Sequence, residues 1–347
     1  MSTIDTLSRL GWSPFFQQQL SLEEWEQFIM GRVIERHRSL IDVTTEHGHS
    51  TLPVTHGMPE LAVGDWIVLD KEERFHRRLE RLSLFSRRAP GTKVASQLIA
   101  ANVDTLFVVS SLNEDFNLSR IERYLALSAE AGVESVVVLT KADLCVEPGD
   151  YLNQVRSLDP LLMVEAVNAL DTNSVSVLEP WCSTGKTVAL LGSSGVGKST
   201  LINTLLGKPV QATASIREDD SKGRHTTTTR SLHFMPAGGL LLDTPGMREL
   251  QLFDCEGGLR ETFADIDRLA GQCRFTDCHH DNEPGCAVRT AIYAGELDKR
   301  RLASFQKLLR EQALNSASLA EKRARDRELG RFYRSTMKAS QQRKKGR

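Results

Sequence analysis

A glycine-rich segment in the second half of the chain has the residue types and spacing that bind nucleotide phosphates. It runs Gly192-Ser-Ser-Gly-Val-Gly-Lys-Ser199, after the apolar run Val188–Leu191 and before a second apolar run with helical spacing. This order predicts a buried strand, a phosphate-binding loop and a helix start. Backbone N–H groups and the helix N-terminus would surround the phosphates. The predicted binding residues of the loop are Gly192, Ser193, Ser194, Gly195, Val196, Gly197, Lys198, Ser199 and Thr200.

Two side chains of this loop have predicted chemical roles. Lys198 would reach the β- and γ-phosphates, which makes it a catalytic as well as a binding residue. The Ser199 hydroxyl would ligate Mg²⁺.

A second segment indicates which base the nucleotide carries. Thr140-Lys-Ala-Asp143 follows the apolar run Ser135–Leu139. The Asp143 carboxylate could accept both N–H groups on the Watson–Crick edge of guanine, whereas adenine would leave it unpaired, so GTP is expected rather than ATP. The usual motif opens with Asn, and Thr140 in its place is expected to weaken base contacts. The predicted guanine-binding residues are Thr140, Lys141, Ala142 and Asp143, with Ala166–Ala169 as a further segment near the guanine O6.

A third segment, Asp243-Thr-Pro-Gly246, follows the apolar run Leu240–Leu242. Asp243 is predicted to hold Mg²⁺ through a water, and the Gly246 N–H is predicted to meet the γ-phosphate. The base-reading segment precedes the phosphate loop, the reverse of an ordinary GTPase, while the cyclic order is kept. The sequence therefore predicts a circularly permuted GTPase domain, which is sterically acceptable because domain termini often lie close together.

The polar stretch between Gln211 and Arg230 is predicted to be a switch loop. It contains Lys222-Gly-Arg-His-Thr-Thr-Thr-Thr229, from which Thr227 is expected to complete the Mg²⁺ shell, with an uncertainty of one or two positions. Met247 stands at a position where some ordinary GTPases carry a water-orienting Gln. His225 is the candidate replacement, or it binds RNA or a phosphate. Slow intrinsic hydrolysis is expected, and a partner that orders the loop should accelerate it.

The C-terminal part contains a cluster of metal-ligating residue types. Cys273, Cys278 and Cys286 flank His279 and His280 within fourteen positions. Three thiolates and one imidazole form a full tetrahedral set for Zn²⁺, which indicates a structural site, and either histidine could be the fourth ligand. The other three cysteines, Cys145, Cys182 and Cys255, are interpreted as ordinary buried thiols.

The elements that must position these residues fall into four predicted units. Residues 1–30 form a helical extension, with Ser21 and Glu24 as a capping box and aromatics that pack on the next unit. Residues 31–92 contain short alternating strands, which favour an all-β OB-fold barrel, although an SH3-like barrel fits the pattern too. Residues 93–252 alternate strands and helices as an α/β domain, with strands at 105–109, 135–139, 161–164, 188–191 and 240–242 and a helix at 118–131. Residues 253–347 form a helical zinc-binding unit with helices at 289–314 and from Leu319 onward.

Composition limits the classes of protein that fit. The 347 residues carry a net charge of −1, and no apolar run approaches a membrane span. The N-terminus does not resemble a signal peptide, so a cytoplasmic location is expected, where thiols stay reduced and clustered cysteines indicate metal. Eleven Lys and Arg against two acids from Lys322 to Arg347 form a basic tail, which by itself is typical of a solvated helix.

The segments at 140–143, 192–200, 223–227 and 243–246, followed by the cysteine cluster, resemble the circularly permuted, small-ribosomal-subunit-dependent GTPases of the RsgA/YjeQ type. The resemblance covers nearly the whole chain. It implies an N-terminal OB-fold, GTP hydrolysis to GDP stimulated by the small (30S) subunit, and a role late in that subunit's maturation. It also implies rRNA binding near the decoding region, release of an assembly factor, and one zinc ion on Cys273, Cys278, His280 and Cys286. A monomer without membrane contact is expected. The basic tail becomes an expected RNA contact.

Two other functions compete with this hypothesis. A zinc-stabilised RNA-binding scaffold would use the nucleotide only to set its conformation. A metabolic kinase is disfavoured because Asp143 selects guanine and no acceptor site is evident beyond the phosphate loop.

Overall fold

The structure is a computed structural model that describes residues 3–88, 96–209, 231–243 and 255–316. The chain begins with three short helices, α1 (Thr3–Arg9), α2 (Pro14–Gln17) and α3 (Leu22–Gln27). Ser21 caps α3 and Glu24 returns the hydrogen bond, so the predicted capping box is confirmed. Trp12 and Phe16 lie against Trp66, with ring centroids 4.8 and 5.8 Å away, as the packing hypothesis predicts.

Five antiparallel strands form the all-β unit that follows. They are β1 (Ile29–Arg36), β2 (Leu40–Thr45), β3 (Gly48–Pro53), β4 (Trp66–Leu69) and β5 (Phe75–Arg78). β1 pairs with both β2 and β4, which gives the order β3-β2-β1-β4-β5. Alternate side chains such as Val33, Ile41, Val43 and Leu52 face inward and form a separate core. A two-stranded antiparallel sheet of β6 (Leu84–Arg88) and β7 (Ser96–Ala101) leads into the next unit.

The α/β unit is built on a mostly parallel sheet with the order β10-β9-β8-β11-β13-β12. Its elements are β8 (Thr105–Ser111), α4 (Leu118–Glu130), β9 (Glu134–Thr140), α5 (Pro148–Arg156), β10 (Met163–Val167), α6 (Thr172–Val175), β11 (Thr187–Gly192), α7 (Lys198–Leu206), β12 (Ser231–Phe234) and β13 (Leu240–Asp243). Central strands such as β8 and β11 are buried along their whole length. Among the described strands of this unit only β12 runs antiparallel, and it joins this sheet to β1 through the pair Glu35 and Ser231.

One predicted strand is displaced. The apolar run at 161–164 indicates a strand from Leu161, but β10 begins at Met163 and Leu161 is 88% exposed. The strand begins where Met163 meets Val136 of β9, so strand pairing and not the apolar run sets its start.

Four helices follow, α8 (Glu256–Thr262), α9 (Ala264–Ala270), α10 (Ala287–Ala294) and α11 (Lys299–Ser316). The helical stretch predicted for 289–314 is divided at Gly295, which has a φ of 76° and ends α10. α8 packs closely on α4, where a Cβ at Gly258 would lie 2.1 Å from the Ala126 carbonyl oxygen. The helix predicted from Leu319 onward and the basic tail lie outside the described residues. Within the described ranges, no helix combines the length and apolar character needed to cross a bilayer.

Candidate functional site

The predicted nucleotide-binding segments meet at one edge of the parallel sheet. β9, β8, β11 and β13 are neighbours and run parallel, so their carboxyl ends lie side by side. Thr140 ends β9, Gly192 ends β11 and Asp243 ends β13. The carboxyl edge of an open α/β sheet is where such folds bind ligands. The structure therefore brings the base-reading segment and the phosphate loop together although they lie in reversed sequence order.

The phosphate loop owes its shape to glycine at two positions. Gly197 has a φ of 91°, a left-handed conformation that other residues adopt only with strain. A Cβ at Gly192 would lie 2.3 Å from the Val109 carbonyl oxygen, because the loop leaves β11 directly against β8. α7 begins at Lys198, so the N–H groups of its first turn open toward the loop.

Lys198 is held inside this loop. Its side chain is buried, and its ammonium donates to the Gly192 carbonyl at 2.8 Å and to the Ser193 carbonyl. The positive charge is thus fixed at the centre of the loop, within reach of the sheet edge. A phosphate in the loop would meet an ammonium that is already positioned.

Thr140 has a role that the sequence analysis missed. Its side chain is fully buried, and Oγ1 lies 2.5 Å from the Val196 carbonyl oxygen of the phosphate loop and 3.2 Å from that of Ser110. The hydroxyl therefore ties the base-reading segment to the phosphate loop. The next residue, Lys141, has a φ of 62°, and Asp143 follows with an exposed side chain in the single turn Ala142–Leu144.

Two further segments lie at the same edge. Asp243 is 7% exposed at the end of β13, the strand that pairs in parallel with β11 ahead of the phosphate loop. Ala169 follows β10, and its carbonyl accepts a 2.7 Å hydrogen bond from Thr204 of α7. The remaining predicted residues, Gly246, His225 and Thr227, lie outside the described residues.

Arg120, in the first turn of α4, also contacts the phosphate loop and was not predicted. Its Nη1 donates to the Ser193 hydroxyl at 2.6 Å and to both Asp115 carboxylate oxygens at 2.8 Å. The sequence contains a signal for the start of α4, since Asn117 is a good helix N-cap and follows the buried strand β8. The Asn117 side chain accepts a hydrogen bond from the Arg120 N–H, so α4 begins at the same sheet edge.

The residues after Arg120 on α4 connect to the C-terminal helices. Glu122 is fully buried and accepts hydrogen bonds of 3.0 to 3.1 Å from Arg300 and Arg301 of α11. Arg123 forms a 2.7 Å ion pair with Glu311. One turn of α4 therefore contacts the phosphate loop at one end and α11 along its side.

The predicted metal ligands form a compact cluster between α9 and α10. Ligand atoms of Cys273, Cys278, His280 and Cys286 all lie within 4.8 Å of one another. The His280 Nδ1 is 3.7 Å from Cys273 Sγ and 3.5 Å from Cys286 Sγ, and the two sulfurs are 3.9 Å apart. Zinc bond lengths imply tetrahedral edges of about 3.5 to 3.8 Å for such ligands, so the donor set and its spacing fit Zn²⁺.

Local structure explains the protonation states in this cluster. Burial lowers the pKa of His280 and so favours the neutral imidazole that binds metal. Burial raises the pKa of Cys273, but hydrogen bonds from the Val288 and Ala287 N–H groups at the start of α10 lower it, and the net shift is downward. Of the two candidate histidines, only the His280 ring joins the cluster; the His279 N–H donates to Glu283 at 2.9 Å.

The chain is similar in sequence to a known family of GTPases. A family profile described as RsgA GTPase matches residues 78–253. A Vibrio parahaemolyticus protein named small ribosomal subunit biogenesis GTPase RsgA 2 is 60% identical over 337 residues, which cover 97% of this chain and 94% of that protein. A Mesorhizobium japonicum protein named small ribosomal subunit biogenesis GTPase RsgA is 46% identical over 319 residues, which cover 90% and 91% of the two chains.

Two solved structures are similar in fold. The crystal structure of YjeQ from Thermotoga maritima has a TM-score of 0.59 and 26% identity, and the match covers 81% of this chain and 99% of that one. The structure of YloQ, described as a circularly permuted GTPase, has a TM-score of 0.58 and 22% identity over 84% and 96% of the chains. The predicted fold class, a permuted GTPase domain with an all-β N-terminal unit and a helical C-terminal unit, is confirmed. The chain belongs to the RsgA GTPase family and is a GTP hydrolase.

Proposed function

We propose that this GTPase binds the small ribosomal subunit and acts in its late maturation, converting GTP to GDP and phosphate faster when the subunit is bound. The printed names of its relatives support this function, since they describe GTPases of small ribosomal subunit biogenesis. A cytoplasmic location follows from such work. We further propose that the protein acts as a monomer, with units at 1–30, 31–92, 93–252 and 253–347.

The nucleotide is proposed to lie along the carboxyl edge of the sheet. Asp143 pairs with the guanine, Thr140, Lys141 and Ala142 support it, and the loop from Gly192 to Thr200 encloses the phosphates. Lys198 stabilises the charge on the β- and γ-phosphates. The contact between Thr140 and Val196 is the observation that carries the proposal, because it joins the two halves of one binding site.

Mg²⁺ is the proposed partner of the bound nucleotide. Hard oxygen ligands suit this ion, and Ser199 and Asp243 both lie at the sheet edge. Ser199 would bind it directly and Asp243 through a water, with Thr227 as a further ligand. When bound, the ion neutralises charge on the phosphates. His225 is proposed to orient the attacking water, and the Gly246 N–H to meet the γ-phosphate.

Zn²⁺ is the proposed ligand of Cys273, Cys278, His280 and Cys286. All four protein ligands are supplied, which leaves no open position for a substrate and indicates a structural ion. The C-terminal unit and the basic tail from Lys322 to Arg347 are proposed to contact rRNA.

GTP turnover with and without purified 30S subunits tests the proposed function. At least a tenfold acceleration by the subunits is expected, and flat slow hydrolysis would instead favour an RNA-binding scaffold. Lys198→Ala should abolish the stimulated rate.

Asp143→Asn should remove the preference for GTP over ATP, measured by calorimetry, because the amide no longer accepts both guanine N–H groups. Equal affinity of the unsubstituted protein for ATP and GTP would contradict the assignment of Asp143.

A further inference from the structure

A second cluster of metal-ligating side chains lies on the outer surface of the N-terminal β unit. Glu35 is on β1, His37 follows the last residue of that strand, and Asp42 is on β2. The opposite face of these strands carries the buried aliphatic side chains of the core. Side chains alternate between the two faces of a strand, so Asp42, which lies between the buried Ile41 and Val43, shares the outward face with its register partner Glu35.

Two of these residues repel one another. Glu35 and Asp42 are direct partners in the β1–β2 register, and like charges at opposed positions destabilise a sheet. The nearest arginine in sequence, Arg36, is turned away and bonded to Glu60 and the Leu61 carbonyl. The carboxylate pair is therefore a place where a cation would be stabilised.

The distances match those of a first coordination shell. The His37 Nε2 lies 3.5 Å from Glu35 Oε1 and 3.2 Å from Asp42 Oδ2, and ligand atoms of all three residues lie within 4.8 Å of one another. Zinc bonds to nitrogen and oxygen imply tetrahedral edges of about 3.3 Å. His49 Nε2 is 3.9 Å from the other oxygen of Asp42, which Thr51 also contacts, so His49 is a neighbour of this set of three and not a member of it.

The orientation of Asp42 is fixed by a neighbouring residue. Thr51 of β3, its partner in the β2–β3 register, donates a 2.6 Å hydrogen bond to Asp42 Oδ1. Such outer contacts orient carboxylate ligands and increase metal affinity.

We propose that Glu35, His37 and Asp42 bind a divalent transition-metal ion, with zinc as the probe that fits their nitrogen and oxygen donors. This site is separate from the cysteine cluster and has no thiolate ligand. Its ion would connect β1 to β2 beside the point where Glu35 pairs with Ser231 of β12, the seam between the β unit and the GTPase sheet.

Metal content measured after equilibrium dialysis tests the site. Tag-free protein dialysed against about 10 µM free Zn²⁺ should hold two ions per chain, one at each cluster. The variant with His37→Ala and Asp42→Asn should hold one. His56→Ala removes an exposed histidine outside the cluster and should keep two. One ion in the unsubstituted protein, or two in the double variant, would overturn the proposal.

Cobalt spectroscopy gives a second measurement that needs no variant. Co²⁺ added to protein whose cysteine cluster is filled with Zn²⁺ should produce visible d–d absorption without a thiolate-to-cobalt charge-transfer band. No visible band, or a charge-transfer band alone, would contradict the site.

Thr51→Val should weaken Co²⁺ binding about 10-fold or more, because Asp42 loses its orienting hydrogen bond while the ligands remain.

Discussion

The nucleotide-binding edge and the cysteine cluster are held in place by different forces. The edge rests on strands β8, β9 and β11, whose aliphatic side chains are almost all fully buried. The cysteine cluster lies in an irregular segment at 271–286 between two short helices, and three of its four ligands are only partly buried. Burial of apolar surface positions the first site, whereas the second site would depend on bonds to the proposed metal ion.

Removing the proposed zinc ion should have the largest effect, and that effect should be confined to the region around the cysteine cluster. Cys278→Ser breaks the ligand set, and structural zinc sites contribute apparent free energies on the order of 10 kcal/mol to folding. Hydrogen exchange should increase across 271–294, while the strands beneath the phosphate loop stay protected. Cys145→Ser, at a thiol outside the cluster, is the matched control. Loss of protection in β8 and β11 of the Cys278 variant would show that the nucleotide-binding edge also depends on the cysteine cluster.

Neutralising Glu122 should have the next largest effect, because it removes the charge that joins the regions. Glu122 is fully buried between Arg300 and Arg301, and breaking a buried ion pair costs about 3 to 5 kcal/mol. Glu122→Gln should therefore lower the free energy of unfolding measured with denaturant. Glu147→Gln, at an exposed position, should change it by less than about 0.5 kcal/mol. A small effect at both positions would mean that the ion pairs of Glu122 contribute little to holding α11 on α4.

Removing the Thr140 hydroxyl should have a smaller effect, confined to the nucleotide site. Thr140→Val keeps the shape of the side chain but leaves the Val196 carbonyl without this partner, at a cost of about 1 to 3 kcal/mol. GTP affinity, measured by calorimetry, should fall because the base-reading segment is no longer tied to the phosphate loop.

Thr187 provides the matched control for that prediction. It is also fully buried, and its hydroxyl has no hydrogen-bond partner among the described residues. Thr187→Val should leave stability unchanged or increase it, since an unpaired buried hydroxyl is replaced by a methyl group. Equal losses in the two variants would mean that the Thr140 hydrogen bond contributes nothing specific.

The two regions also differ in how far the sequence predicts them. The phosphate loop, the base-reading segment and the metal ligands are local patterns, in which each motif lies within about ten to fifteen residues. From its own segment, Thr140 is predicted to be a weakened copy of Asn. Its contact with Val196 is not predicted, because the two residues are 56 positions apart. Glu122 and Arg301 are 179 positions apart, and an acid on a helix is ordinarily exposed, so nothing local indicates that this one is buried.

Strand starts show the same limit. The apolar run from Leu161 predicts a strand, yet Leu161 is exposed and the strand starts only where Met163 meets β9. The apolar run therefore does not mark the start of this strand, and pairing with a neighbouring strand decides the boundary. The sequence therefore predicts the residues that carry the chemistry well, and it predicts the long-range contacts between the parts of the chain poorly.

Arg120 should show the smallest effect, and it tests whether α4 acts on the phosphate loop at all. Its ion pair with Asp115 is about one-third exposed on both sides, and such pairs contribute about 0.2 to 1 kcal/mol. Arg120→Ala should weaken GTP binding by about two- to fivefold, because Ser193 loses its hydrogen bond. The free energy of unfolding should fall by no more than about 1 kcal/mol. Arg123→Ala, three residues along the same helix, removes the pair with Glu311 and should loosen α11 while GTP affinity is kept. If both variants changed GTP affinity equally, the phosphate loop would sense the C-terminal helices through the whole of α4, and the separation of the two regions would be wrong.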